Sequence, residues 1–124
     1  MKRWSLLLCV CLGVACDDGP HYVGVSFEPQ SAPPVPVSFE PDRIEIPVGI
    51  AVEVEVRPES SGEAYDKHDL LVLRADDEDL LGVYATEDER QFVFVGLREG
   101  ETCLEVQLNR QQRECIDVRV VPVE

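Results

Sequence analysis

Thr102-Cys103-Leu104-Glu105-Val106-Gln107-Leu108 and, after a short polar gap, Cys115-Ile116-Asp117-Val118-Arg119-Val120-Val121 decide the fold. In the first run Leu104, Val106 and Leu108 lie on one side of an extended chain, with Cys103, Glu105 and Gln107 on the other. In the second, Ile116, Val118 and Val120 oppose Cys115, Asp117 and Arg119. This period of two is that of a half-buried strand. Pairing the runs through the polar segment Asn109 to Arg113 brings both cysteines onto the same polar face, so Cys103 and Cys115 are expected to be disulfide-bonded. Closing a loop of about 13 residues stabilises by about 3 kcal/mol through the restricted unfolded chain. A redox-active pair would instead call for a Cys-x-x-Cys spacing or a thiol beside a cation, and only Arg113 is near.

Upstream, the same alternation recurs. Ile44, Ile46 and Val48 alternate up to Gly49, and Val52, Val54 and Val56 alternate with Glu53, Glu55 and Arg57. Pro58 to Asp69 is polar and reads as a loop. Leu70 to Leu73, Leu80 to Tyr84 and Gln91 to Leu97 are three more short strands, parted by the acidic turns Asp76-Asp77-Glu78-Asp79 and Glu87-Asp88-Glu89. No stretch keeps a helical period. Six to eight short strands with turns every eight to twelve residues predict an all-β antiparallel sandwich over residues 37–124.

The N-terminal part reads differently. Met1-Lys2-Arg3 is a positive head, and Trp4 to Ala15 is an apolar run too short to span a bilayer but suited to a signal peptide over residues 1–15. Leu12-Gly13-Val14-Ala15-Cys16, followed by Asp17-Asp18, resembles a bacterial lipoprotein signal, although Gly13 stands where that family prefers Leu. The resemblance implies cleavage before Cys16, which would be diacylated and become the mature N-terminus. The chain would then sit on the inner or outer membrane, facing the periplasm or exterior. Simple cleavage after Ala15, giving a soluble exported protein, is the alternative. Cys9 and Cys11 would leave with the leader, which resolves the five cysteines into two discarded, one lipid anchor and one bridge. Residues 16–36 carry Pro20, Pro29, Pro33, Pro34 and Pro36 and read as a semi-stiff tether. Val-Ser-Phe-Glu-Pro occurs twice, at Val25–Pro29 and Val37–Pro41. The second copy is expected to form the first strand; the first is either an alternative edge strand or a relic of duplication.

Composition narrows the partners. The 124 residues hold 11 Lys and Arg against 25 Asp and Glu, a net charge of −14. Lys2 and Arg3 belong to the leader, so the exported remainder is more negative still. Nucleic-acid binding needs clustered cations and is excluded on this ground, as is attraction to an anionic lipid surface. At 44% hydrophobic residues the chain is also too apolar for a disordered acidic tail.

Val95-Gly96-Leu97-Arg98-Glu99-Gly100-Glu101-Thr102-Cys103-Leu104-Glu105-Val106 is similar to the Gly-Leu-x-x-Gly-x-x-x-Ile-x-Val signature of bacterial Ig-like domains of group 2. Ile44-Glu45-Ile46-Pro47-Val48-Gly49 resembles their opening strand. Val72-Leu73-Arg74-Ala75-Asp76-Asp77 falls where they often carry a Trp-containing segment, with Leu73 in place of the Trp. The resemblance covers about Ser38 to Val121. It implies an Ig-like Greek-key sandwich acting as a binding or spacer module, with no catalytic residues.

Few residues could support chemistry. His21 lies in the expected tether, and His68 sits in Asp66-Lys67-His68-Asp69, a loop context without a nucleophile motif. Asp76, Asp77, Glu78 and Asp79 are weak calcium candidates, since Leu81 occupies the EF-hand glycine position. No zinc or phosphate motif is present, and no cofactor is expected. The sequence therefore reads as a non-enzymatic cell-envelope lipoprotein whose single domain binds or supports another envelope protein. The outward carboxylates Glu53, Glu55, Glu105 and Asp117 suit a basic partner. The alternative is a small periplasmic inhibitor-like binder of a cationic hydrolase.

Overall fold

A computed structural model describes residues 19–123. The expected signal peptide over residues 1–15 and the expected lipidation site Cys16 lie outside the described residues. Within them the chain forms nine strands and no helix: β1 (Tyr22–Pro29), β2 (Ser38–Glu40), β3 (Arg43–Pro47), β4 (Ala51–Ser60), β5 (Leu71–Ala75), β6 (Leu81–Ala85), β7 (Gln91–Gly96), β8 (Gly100–Leu108) and β9 (Gln111–Val121). One sheet has the order β1-β4-β7-β6 and the other β2-β3-β9-β8-β5. All pairings are antiparallel except β3 with β9. With β1, β4, β7 and β6 in the places of strands A, B, E and D, and β5, β8 and β9 in those of C, F and G, this is the Ig-type Greek-key sandwich.

The alternating apolar positions meet between the sheets. Val52, Val54, Val56 and Phe94 of one sheet and Ile44, Ile46, Leu104, Val106 and Leu108 of the other are fully buried, and the buried core among the described residues holds no polar or charged side chain. A sheet face made of β-branched and aromatic residues at period two has no other way to leave water.

The N-terminal boundary expected from the sequence is corrected. Residues 16–36 are not simply a tether: Tyr22–Pro29 is a strand of the sandwich, paired with β4 from Tyr22↔Ser60 to Pro29↔Val54. Val25 is fully buried, and Tyr22 and Phe27 pack on the core. The prolines misled because they flank this strand rather than interrupt it, and β1 is an edge strand, where Pro29 removes no ladder hydrogen bond on the open side. Residues 30–37, with Pro33, Pro34 and Pro36, carry the chain across to the opposite sheet. Both Val-Ser-Phe-Glu-Pro copies therefore contribute strands, one to each sheet. Phe27 and Phe39 lie with ring centroids 5.9 Å apart and pack edge-on to Phe94 at 6.3 and 5.5 Å.

β4 also runs further than expected, through Pro58 to Ser60. Its pairing with β7 ends at Glu55↔Gln91, so Pro58 meets only β1 and breaks no bond of a central ladder. The β8–β9 connection is shorter than Asn109 to Arg113. Asn109 and Arg110, with φ of 54° and 70°, make a two-residue turn whose positive φ values are those of type I′. The register then slips between Val106↔Glu114 and Gln107↔Gln112, leaving Arg113 as a bulge. Polar Gln111 to Arg113 looked like loop because the ladder there continues by main chain alone.

Cys103 and Cys115 are disulfide-bonded with Cα atoms 5.3 Å apart. In the ladder Cys103 faces Asp117 and Cys115 faces Glu105, so the bridge runs diagonally across the solvent face of the hairpin. Gly96, from the Ig-like signature, sits where the sheets close at one end. Its N–H donates to Ile50 O, Gly49 N–H donates to its carbonyl, and a Cβ there would overlap the Pro47 carbonyl oxygen.

Candidate functional site

Concavity and unsatisfied pairing capacity occur at the loop end of the sandwich and at the edge where β5 and β6 run side by side.

The loop end is built by residues 61–70 and 86–90. Asp66 opens a tight turn in which its N–H donates to Asp69 Oδ2 at 2.8 Å and its Oδ1 accepts from His68 N–H at 2.8 Å. Arg90 fastens this turn, its guanidinium donating to the carbonyls of Asp66 (2.6 Å) and Asp69 (3.0 Å). Asn109 of the β8–β9 turn adds a side-chain bond to Asp69 Oδ1 (3.0 Å) and accepts from Leu70 N–H (2.8 Å). The Asp66 N–H and then the Asn109 amide hold the Asp69 carboxyl below its usual range. Two shallow grooves flank Arg90. One, of about 400 Å³, runs along Arg57, Pro58, Glu59 and Tyr65, where β4 has outrun β7; the other, of about 350 Å³, borders His68, Leu70, Thr86 and Asp88.

Beside the same loop, at the start of β1, Tyr22 donates its hydroxyl to the Glu114 carboxylate, and Arg113 lies 5.6 Å over its ring. Burial, and then the bond to Glu114, push the Tyr22 phenol well above its ordinary range. This clasp ties the start of β1 to β9 across the sandwich.

The β5–β6 edge differs in character. A cleft of about 270 Å³ between the strands is lined by Leu73, Ala75, Leu81, Val83, Tyr84 and Glu78, and by Arg74, whose guanidinium is paired with Glu105. Tyr84 is 53% exposed, as are Leu70 and Val72 to similar extents on the β5 side.

The residues singled out in the sequence are not assembled into a reactive centre. His68 is exposed in the loop turn, and His21 lies just before β1, its N–H donating to Ser60 Oγ and its carbonyl accepting from Ser61 N–H. Among the described residues no three His, Cys, Asp or Glu side chains converge to hold an ion. In the 76–79 turn, Asp77 Oδ1 accepts from Asp79 N–H and the Asp76 and Asp77 N–H groups donate to Cys103 O and Thr102 Oγ1, so the calcium candidates Asp76, Asp77, Glu78 and Asp79 form a turn, not a cage. The outward carboxylates are split between faces: Glu53 and Glu55 lie outside one sheet, Glu105 and Asp117 outside the other. Glu55 and Glu105 pair with Arg57 (3.0 Å) and Arg74 (2.9 Å). The sequence reading missed Arg90 as the fastener of the loop end. Its position in a charged run gave no signal, because its partners are carbonyl oxygens distant in sequence.

The chain matches no family model, and no curated protein matches it. Solved structures do. Domains 5–6 of the S-layer protein SbsC superpose with a TM-score of 0.55 at 13% identity, over 83% of this chain and 45% of that one. The longer SbsC chain rSbsC(31–844) gives 0.54 at 10% identity, over 82% and 20%. SbsC domains 4–9 give 0.51 at 12% identity, over 86% and 15%. The chain thus spans less than half the length of each of these proteins. At these identities the likeness is one of fold, to domains of the S-layer protein SbsC.

Proposed function

We propose that this chain is a non-enzymatic cell-envelope module, held on a membrane by the lipidated Cys16, whose Ig-like sandwich binds or supports another envelope protein. The observation that carries the reading is the sandwich itself, a fold similar to modules of an S-layer protein and bearing no assembled reactive centre among the described residues. The export-type leader and the bridge between Cys103 and Cys115 support it, since such bridges persist in oxidising compartments.

Two measurements test it. Recovery of a specific protein with the full chain from solubilised envelope, weakening as salt rises, is the expected result; recovery of nothing above background at low salt refutes the binding role. Mass spectrometry of the native N-terminus should find acylated Cys16, and membrane association that persists unchanged in Cys16→Ser refutes the anchor.

A further inference from the structure

The two sides of the sandwich are guarded unequally. On one side β1 ends at Pro29, and β2 has three residues held between Pro36 and Pro41. Short strands and prolines are how sheets blunt an edge. On the other side, β5 and β6 contain no proline, and none occurs between Pro58 and Pro122.

The main chain of β6 is poised to pair. Thr86 N–H donates to Gln91 O and Leu97 N–H to Leu80 O. In an antiparallel ladder these bonds place Gly82 and Tyr84 in the pairs that bond to β7 and turn the N–H and C=O of Val83 and Ala85 outward. β6 is the last strand of its sheet, so those groups face no neighbour within it. A strand added there would set alternate side chains into the cleft bordered by Leu73, Ala75 and Val83, and the others beside the exposed Tyr84 ring, which lies over Gly82.

Charge selects the occupant. Asp76-Asp77-Glu78-Asp79 precedes β6 and Glu87-Asp88-Glu89 follows it, so a five-residue apolar strand is bracketed by carboxylates at both ends. Against this edge a second copy of the chain is disfavoured. Antiparallel pairing centred on Val83 would set Asp79 opposite Glu87 of the copy, like charges directly across a ladder.

We propose that the β6 edge receives an extended, cationic segment of a partner protein by strand addition. The segment alternates apolar and polar residues over about five positions and carries Lys or Arg at both ends, roughly 20 Å apart at the rise of a strand. The proposal rests on the binding-module reading above and supplies its contact.

The test titrates full-length protein into the fluorescein-labelled peptide Lys-Lys-Val-Thr-Val-Thr-Val-Lys-Lys and follows anisotropy. Saturable binding is expected at about 20 mM salt, weakened roughly tenfold or more near 300 mM and in the peptide with Glu for every Lys. Ala85→Pro removes an outward N–H without touching the β7 ladder and should weaken binding at least about tenfold. Peptide N-methylated at alternate residues should lose binding likewise, with the protein left unaltered. Absence of saturable binding overturns the proposal. So does equal affinity for the N-methylated peptide, or for Ala85→Pro with an unchanged melting temperature, because either shows charge attraction without strand pairing. Envelope pull-down with Ala85→Pro separates the two readings. A partner recovered as well as by wild type leaves the binding module standing and removes the β6 edge from it. No partner with either protein removes both.

Discussion

Val23 and Val25 lie two residues apart in β1, and their environments differ as far as two valines can: Val23 is 62% exposed and Val25 1%. If residues 22–29 were tether, Val→Ala at either position would be silent. In the sandwich, Val25→Ala deletes two buried methyl groups, worth about 1.6 kcal/mol of transfer free energy at about 0.8 kcal/mol each. A void on the order of 40 Å³ adds about 1 kcal/mol if the surroundings stay fixed. β1 is an edge strand and can relax inward, so the expected loss is about 1.5 to 2.5 kcal/mol, or roughly 6 to 12 °C in Tm for a domain near 100 residues. Val23→Ala should cost less than about 0.5 kcal/mol. Urea and thermal unfolding of the three proteins, followed by circular dichroism at 218 nm, gives both numbers. Equal, small shifts for the two variants would refute the placement of β1 in the core.

Gly96→Ala and Gly82→Ala form a second contrast. The first sets a Cβ against the Pro47 carbonyl, main chain that cannot swing aside, and should cost roughly 2 to 4 kcal/mol; the second meets only the tip of Tyr84 and should cost clearly less by the same unfolding assay. Reduction, or Cys103→Ser with Cys115→Ser, should lower stability by about 2 to 3 kcal/mol, read as a shift in urea midpoint with and without reductant. Asp69 has a lowered folded pKa, so its contribution is present above the unfolded value of about 3.9 and fades as pH falls through the folded one. Wild type should therefore exceed Asp69→Asn in stability at pH 6, with the difference shrinking toward pH 3.

What was legible from the residues follows physical lines. β4, β8 and β9 each carry three apolar residues at period two and β3 and β7 carry two on the buried face, and each reads as a strand because burial of one face leaves a pattern in the chain itself. The disulfide was legible for the same reason, since alternation placed both cysteines outside. The diagonal register was not, because it depends on the Arg113 bulge, which the pattern does not mark. β1 is legible only as one alternative, an edge strand over Val25–Pro29 within a tether, because prolines weigh heavily in a local reading, whereas their cost depends on which side of a strand is open. The loop end was least legible. Arg90 grips the carbonyls of Asp66 and Asp69, and Asn109 reaches Asp69 from forty residues away, contacts that only the closed sandwich creates.

The repeated pentapeptide shows how one local instruction serves two places. In each copy Val and Phe point inward two positions apart, Ser and Glu point out, and Pro ends the pairing. Such a segment is suited to an edge and unsuited to a sheet centre, where the missing N–H would leave a ladder bond unmade. The chain uses it on both sides of the same seam: β1 closes one sheet, β2 the other, and Phe27 and Phe39 meet over Phe94 where the sheets would otherwise gape. The proline-marked edges and their aromatic seam therefore belong to the same device, which shortens the pairing surface on this side of the sandwich. The opposite side, bounded by β5 and β6, lacks both prolines and an aromatic seam and carries carboxylates instead. A proline withdraws one edge donor from every added strand, whereas carboxylates disfavour only strands of like charge. On the strand-addition proposal, charge therefore does at β6 what prolines do at the ends of β1 and β2.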